Sequence, residues 1–148
     1  MPALDRTQLA DAAGLAKGAY ILAEASGGAP SAILMGSGSE IGICLAARDI
    51  MEQGGVPTRV VSMPCWEAFA EQDAAYRDTV LPPAVAARVS VEAGVTFGWE
   101  RWIGAKGVAI GVDRFGASAP YEKIYQELGL TPERVVERVR ALVRQEGA

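Results

Sequence analysis

Apolar runs of strand length alternate with helical stretches along most of this chain. Four such runs lie at 32–35, 58–63, 88–92 and 108–112, and a helical pattern at 39–53 separates the first two. Parallel neighbours in a sheet need a crossover connection, which is usually a helix. The alternation therefore predicts an α/β fold with a mostly parallel sheet that helices cover on both faces.

A fifth apolar run, at 20–22, is connected differently. Only the five residues 26–30, which are rich in glycine and end in proline, separate it from the run at 32–35. Five residues are too few for a crossover, so this first strand is expected to run antiparallel to the next one at an edge of the sheet. Residues 1–17 have no strong period and are interpreted as a lead-in to a single domain at 18–148.

The C-terminal segment has the clearest helix signals. Thr131 is a suitable N-cap, and Pro132 falls at the first helical position, where its missing N–H costs nothing. One apolar stripe follows, formed by Val135, Val139, Leu142 and Val143. We expect this helix to pack on the sheet.

Composition excludes several classes of function. The net charge is −4 and the basic residues are scattered, which argues against a nucleic-acid partner. No apolar run approaches the length of a membrane span, and no signal pattern opens the chain, so a cytoplasmic protein without a membrane partner is expected. The chain has no histidine, the commonest general base and metal ligand. Its two cysteines, Cys44 and Cys65, cannot form a zinc site, and Cys44 lies in the apolar stripe of a predicted helix.

A glycine-rich turn between a strand and a helix is the main candidate for ligand binding. Gly36, Ser37, Gly38 and Ser39 would direct backbone N–H groups outward at a helix N-terminus, as anion sites do. The turn matches neither the dinucleotide fingerprint nor the phosphate loop. The spacing of Ser37 and Glu40 instead favours a capping box, while a regulatory anion or nucleotide site at the turn stays an alternative.

Two acidic residues and one thiol remain as chemical candidates. Glu92 and Asp113 end predicted strands and could face a crevice, although pairing with Arg101 or Arg114 is the simpler interpretation. Cys65 follows a strand end, but nothing in the sequence lowers the pKa of its thiol. We therefore expect no catalytic residue in this chain.

Large aromatic side chains are more numerous than a small core requires. Trp66, Phe69 and Tyr76 follow the third strand, and Trp99 and Trp102 follow the fourth. These five residues are expected either to fill the core or to contact another domain or a second subunit.

Three stretches together resemble the C-terminal domain of transketolases. The first runs from Ser62-Met63-Pro64 through Phe69, Gln72 and Tyr76-Arg77 to Val80-Leu81-Pro82. The second joins Glu92-Ala93-Gly94 to Phe97-Gly98-Trp99-Glu100-Arg101 and Trp102-Ile103-Gly104, and the third is the segment 111–120. The resemblance extends from about residue 9 to the C-terminal helix.

The resemblance implies a fold and a limited role. It implies a three-layer α/β/α sandwich with a mixed five-stranded sheet whose first strand is antiparallel. Intact transketolases transfer ketol units between sugar phosphates with thiamine diphosphate and Mg²⁺, and are homodimers. Their cofactor is held by two preceding domains, so this chain is expected to bind no cofactor or metal, to be inactive alone, and to support those domains and the dimer. Whether the chain is a trimmed piece or a separate subunit stays open.

Overall fold

A five-stranded mixed sheet forms the centre of the molecule in the computed structural model, which describes residues 4–113 and 120–146. The strands are β1 (Tyr20–Ala23), β2 (Ala32–Gly36), β3 (Thr58–Ser62), β4 (Arg88–Val91) and β5 (Val108–Ile110). The helices are α1 (Glu40–Gln53), α2 (Trp66–Ala70), α3 (Ala74–Val80), α4 (Glu100–Ile103), α5 (Tyr121–Leu128) and α6 (Pro132–Glu146). The predicted strands and the main predicted helices are all present.

The strand order is β1-β3-β2-β4-β5. Strands β2, β3, β4 and β5 pair in parallel, and β1 pairs antiparallel with β3 at one edge. The predicted antiparallel edge strand is confirmed, and its hydrogen-bonded neighbour is β3 because β3 lies between β1 and β2. Every residue of β2 and of β3 is buried, as expected for strands covered on both faces.

Alternate side chains of the strands enter two separate cores. On one face Leu34, Val60 and Val89 pack against α1 and α6, and on the other face Ile33, Met35 and Val61 pack against α2, α3 and α4. The strand period of two residues thus divides each apolar run between two helical layers. The three-layer α/β/α sandwich predicted from the resemblance is confirmed.

The C-terminal helix α6 follows its sequence signals. The Thr131 hydroxyl accepts a hydrogen bond from the backbone N–H of Arg134 at 3.3 Å, as an N-cap does. Val135 and Val139 are fully buried against the sheet. Val136 is also buried although it lies off the predicted stripe, because α6 packs against α1 as well as against the strands.

The segment that precedes β1 packs on the domain. Residues 12–17 form a 3-10 helix, and Leu4 and Leu9 contact the core on the α1 side. The backbone N–H of Ala10 donates to the carbonyl of Leu22 at 3.0 Å. The described part of the lead-in is therefore held against the edge strand.

One charged pair connects the edge strand to the interior. The Arg59 guanidinium is 5% exposed and donates to both carboxylate oxygens of Glu24 at 2.8 Å. The third guanidinium nitrogen of Arg59, Nη1, donates to the carbonyls of Thr79 and Val80 at 2.7 and 3.0 Å. Arg59 therefore links β3 to the segment after β1 and to the end of α3. A buried guanidinium of this kind is stable only while its partners remain in place.

We expect the substitution Glu24→Gln to lower the free energy of unfolding by about 1–3 kcal/mol, because it leaves the Arg59 charge without its carboxylate. Urea denaturation of the purified chain measures this change. The exposed pair of Arg134 and Glu137, with N–O at 2.6 Å, supplies the control, since Glu137→Gln should change stability by less than ~1 kcal/mol. Equal effects of the two substitutions would contradict the structural role of Arg59.

Candidate functional site

The carboxyl ends of the parallel strands form the edge of the sheet where ligands gather in α/β folds. At this edge the turn after β2 leads into α1, and the loop after β4 leads into α4. The ligand-binding residues that were predicted from the sequence lie at this edge.

The predicted capping box at the start of α1 is wrong. The helix begins at Glu40 with Ser39 as its N-cap, and neither Ser39 nor Ser37 makes a side-chain cap hydrogen bond. Ser37 instead accepts through its backbone carbonyl from the N–H of Glu40 at 3.2 Å. A capping box needs Glu at the third helical position, whereas Glu40 occupies the first. Its side chain is therefore free for other contacts.

The Glu40 carboxylate lies buried at the N-terminus of α1. The residue is 5% exposed, and its Oε1 accepts from the Ser39 hydroxyl at 2.6 Å and from the Tyr125 hydroxyl at 2.7 Å. Tyr125 belongs to α5, so this carboxylate joins two helices. The positive end of the α1 dipole favours a negative charge at this position. Glu40 itself thus provides the anion at this helix terminus.

Electrostatics at the edge are negative. The pKa of the Glu92 carboxyl is raised by burial and then by the charge of Glu40. Burial also raises the pKa of Tyr125, and the charges of Glu40 and Glu92 act in the same direction. An added phosphate at Gly36 to Ser39 would meet both carboxylates. The anion site at this turn stays a prediction that the arrangement of charges disfavours.

The two cysteines differ in their surroundings. Cys44 is fully buried in α1, and its thiol points to the carbonyl of Met35 at 3.8 Å. Burial first, and the Glu40 charge second, raise its pKa to about 12. A thiol in this environment is a core residue, as the sequence indicated. Cys65 is partly exposed, and its sulfur donates to the Glu67 carboxylate at 3.6 Å.

The loop between β4 and α4 is bound to the end of β5. Asp113 accepts hydrogen bonds from the backbone N–H of Thr96 at 2.8 Å and from the Thr96 hydroxyl at 2.9 Å. These bonds, the backbone one first, lower the pKa of Asp113. The expected pairing of Glu92 or Asp113 with Arg101 is not found, because Arg101 lies over the ring of Trp102 at 4.7 Å. Arg114 lies outside the described residues.

Three of the five aromatic candidates are core residues. Phe69 is 0% exposed, Trp99 1% and Trp102 6%, so none of them offers a surface to a partner. Phe69 packs against Trp102 with ring centroids 5.1 Å apart, in the core beneath α2, α3 and α4. Of the two alternatives for the aromatic set, these three residues follow the first and fill the core.

The other two aromatic candidates are half-buried. The Tyr76 hydroxyl donates to the carbonyl of Ala19 at 2.9 Å, and Lys17 lies 4.1 Å from the centre of its ring. Trp66 meets Trp99 edge to face, with ring centroids 5.0 Å apart. Both residues retain an accessible part, so the expected domain contact stays a prediction for them.

Sequence reasoning did not single out the most exposed apolar residues. Val95 is 62% exposed and Phe97 is 83% exposed, both in the loop after β4. Phe97 was part of the motif that carried the resemblance, but nothing in a loop without periodicity tells an outward from an inward side chain. The only local signal of an irregular, exposed loop was the presence of Gly94 and Gly98 on either side of these residues.

The described residues contain no group of three or more acidic or cysteine side chains that could hold a metal ion. Within the same part of the chain, no helix is long and apolar enough to cross a membrane.

The fold defines a class: an α/β sandwich domain with one antiparallel edge strand and an acidic, hydrogen-bonded end to its sheet. The chain matches the family model described as "Transketolase-like TK C-terminal domain" over residues 18–131. It is 56% identical over 126 residues to Transketolase 7 of Craterostigma plantagineum, which covers 83% of this chain and 19% of that protein. The chain belongs to the transketolase C-terminal domain family.

Two further comparisons agree with this family. The transketolase of Geobacillus stearothermophilus is 48% identical over 130 residues, covering 88% of this chain and 20% of that protein. The solved structure of transketolase from Leishmania mexicana superposes with a TM-score of 0.82 at 38% identity, covering 90% of this chain and 19% of that one. The chain thus spans about a fifth of the length of the transketolases it matches.

We expect Gly98→Ala to destabilise the chain by about 1–3 kcal/mol. Gly98 has φ +93°, and a Cβ at this position would lie 2.7 Å from the Trp66 ring. Gly55→Ala is the matched control, because Gly55 has φ +78° and open space around it. Thermal unfolding of both variants separates backbone strain from the clash with Trp66. A smaller loss for Gly98→Ala than for Gly55→Ala would contradict the packing described here.

We expect Glu92→Gln to change how stability depends on pH. Because the pKa of Glu92 is higher in the folded chain than in the unfolded one, stability falls as the pH rises above the ordinary value of 4.5. Removing the carboxylate should stabilise the chain at pH 7 by up to ~1 kcal/mol, a small value since the group is partly exposed. The gain should disappear as the pH approaches 4.5.

Urea denaturation of Glu92→Gln and the parent chain between pH 5 and pH 8 measures this difference, with the exposed Glu71→Gln as control. A gain that is the same at every pH, or equal in the control, would contradict a pKa of Glu92 that burial and the Glu40 charge raise in the folded chain.

Proposed function

We propose that this chain is the C-terminal domain of a transketolase, and that the intact enzyme transfers ketol units between sugar phosphates. The observation that supports this most strongly is the family match over residues 18–131 together with the 56% identity to a transketolase. Because the chain spans about a fifth of such an enzyme, the reaction itself is assigned to the intact protein. The chain alone is proposed to be inactive.

Thiamine diphosphate and Mg²⁺, which supply the carbanion chemistry of the proposed enzyme, do not fit the residues present here. A diphosphate needs clustered donors or a free helix N-terminus, but the N-terminus of α1 already holds the buried Glu40 carboxylate. Mg²⁺ prefers carboxylates grouped with phosphate oxygens, and the described residues contain no suitable group of three ligands. We therefore derive no catalytic step through these groups in this chain.

The role that remains is architectural. The two cores make the domain self-sufficient, with β2 and β3 buried on both faces. We propose that its partners are the two preceding domains of the enzyme and, through them, a second subunit of a homodimer. A cytoplasmic location is proposed on the ground that both cysteines are free thiols, as is usual in a reducing compartment.

The alternative role, a small-anion or nucleotide module at Gly36, Ser37, Gly38 and Ser39, has no observation in its favour. The helix terminus that would bind the anion is occupied by Glu40, and Glu92 adds a second negative charge nearby. Binding of inorganic phosphate that stabilises the chain against heat would be the result that revives it.

A chimeric enzyme tests the proposed function. In it, this chain replaces the matched segment of the Geobacillus stearothermophilus transketolase, which is 48% identical over that segment. We expect the chimera to catalyse ketol transfer with thiamine diphosphate and Mg²⁺, while the isolated chain shows no turnover and no thiamine diphosphate binding. The same enzyme without its C-terminal segment is the control for the need for this domain.

Turnover by the isolated chain would overturn the proposed role. A chimera that folds and dimerises but shows no ketol transfer would also count against it, because the other four-fifths of that enzyme come from a transketolase. Circular dichroism and sedimentation distinguish this result from a simple failure to fold.

A further inference from the structure

An apolar surface crosses the carboxyl edge of the sheet on the side of α2 and α4. It is formed by Trp66, Val95 and Phe97, which we call the apolar edge strip. Val95 and Phe97 are 62% and 83% exposed, and Trp66 is half-buried. The Trp66 ring lies against Gly98, where a Cβ would come within 2.7 Å of it, so Trp66 adjoins the residue that follows Phe97.

The loop that carries the strip is fixed by hydrogen bonds on both sides of Phe97. Asp113 binds the N–H and hydroxyl of Thr96, and the N–H of Val112 donates to the carbonyl of Gly94 at 2.7 Å. Beyond Phe97, the N–H of Gly98 donates to the Glu100 carboxylate at 2.8 Å. An exposed phenylalanine held in this way is already ordered before any partner binds, which lowers the entropy cost of docking.

The size of the strip decides which partner it fits. An aromatic side chain buries about 150–250 Å², so two aromatic residues and a valine fall short of the ~800 Å² per partner found in stable complexes of separate proteins. A partner in the same polypeptide needs less area, because tethering raises its effective concentration. The strip is therefore better suited to a covalently connected domain than to a second free copy of this chain.

We propose that the apolar edge strip is the surface on which the preceding part of the same enzyme docks, through an uncharged patch of aliphatic or aromatic side chains. This inference rests on the proposed function, in which about four-fifths of the enzyme lies outside this chain. Phe97 is its central contact, since it is the most exposed large apolar side chain of the described residues. Trp66 supports it from the side of α2.

Hydroxyl-radical footprinting of the isolated chain and of the chimeric enzyme tests the proposal directly. The oxidation rate of Phe97 should be high in the isolated chain and should fall severalfold in the chimera. An unchanged rate in an active chimera would overturn this inference and leave the proposed function standing. An inactive chimera would instead contradict the proposed function.

A substitution gives the second test. Phe97→Ser should leave the melting temperature of the isolated chain unchanged but should lower that of the chimera by several degrees, because only the chimera has the docked partner. The matched control is Leu15→Ser, since Leu15 is 47% exposed and lies on the 3-10 helix before β1. Equal effects of the two substitutions on the chimera would overturn the special role of the strip.

Sedimentation of the isolated chain tests whether the strip binds a second copy of the chain instead. If the chain forms a dimer that Phe97→Ser dissociates, the strip binds a second copy and the proposal is wrong. A monomer at concentrations where Phe97 is freely oxidised supports the tethered partner.

Discussion

Burial of β2 and β3 on both faces is the constraint on which the rest of this structure depends. All ten residues of these two strands are buried, and their apolar side chains enter two different cores. Strands covered in this way have no face open to solvent, so ligands and partners must meet the sheet at its edges. Arg59 is the charged residue of β3, and its guanidinium reaches Glu24 and two carbonyls at the margin of the core.

The carboxyl edge of the sheet has two contrasting parts. Around α1 it is acidic, because it contains the Glu40 and Glu92 carboxylates, and burial followed by the Glu40 charge raises the pKa of Glu92. Around α2 and α4 it is apolar, because Trp66 and Phe97 lie there. An edge of the first kind repels phosphate, and one of the second kind is typical of contact with another protein surface. The same location that holds ligands in other α/β folds is therefore better suited here to support a neighbouring domain.

Much of the fold could be predicted because its signals are local. The apolar run at 58–63 and the Thr131, Pro132 start of α6 correspond directly to observed elements. The capping box failed because α1 begins at Glu40, and a shift of two residues changes the role of that side chain completely. Helix ends are the least regular part of a helix, and sequence spacing does not show which of several serines becomes the N-cap.

The aromatic residues show the limit of sequence reasoning on the candidate site. Trp99 and Phe97 stand two positions apart in the same motif, yet one is 1% exposed and the other 83%. The difference arises from the tertiary packing of the loop: Trp99 lies beneath Trp66, while the Thr96 to Asp113 bonds direct the preceding turn outward. No local pattern contains this information, because it depends on the position of α2 and of the end of β5.

The cost of exposing Phe97 indicates why this arrangement has a function. An isolated domain would gain about 1.5–3 kcal/mol from burying such a side chain, or would lose nothing by having a polar residue in its place. The loop nevertheless uses four hydrogen bonds to hold the residue outward, from Thr96, Val112 and Gly98. The loop's hydrogen bonds stabilise its own conformation, but the exposed Phe97 side chain adds little to the stability of this chain alone. An aromatic side chain that is ordered and exposed is suited to contact with a second surface, which agrees with the proposed docking of the preceding part of the enzyme.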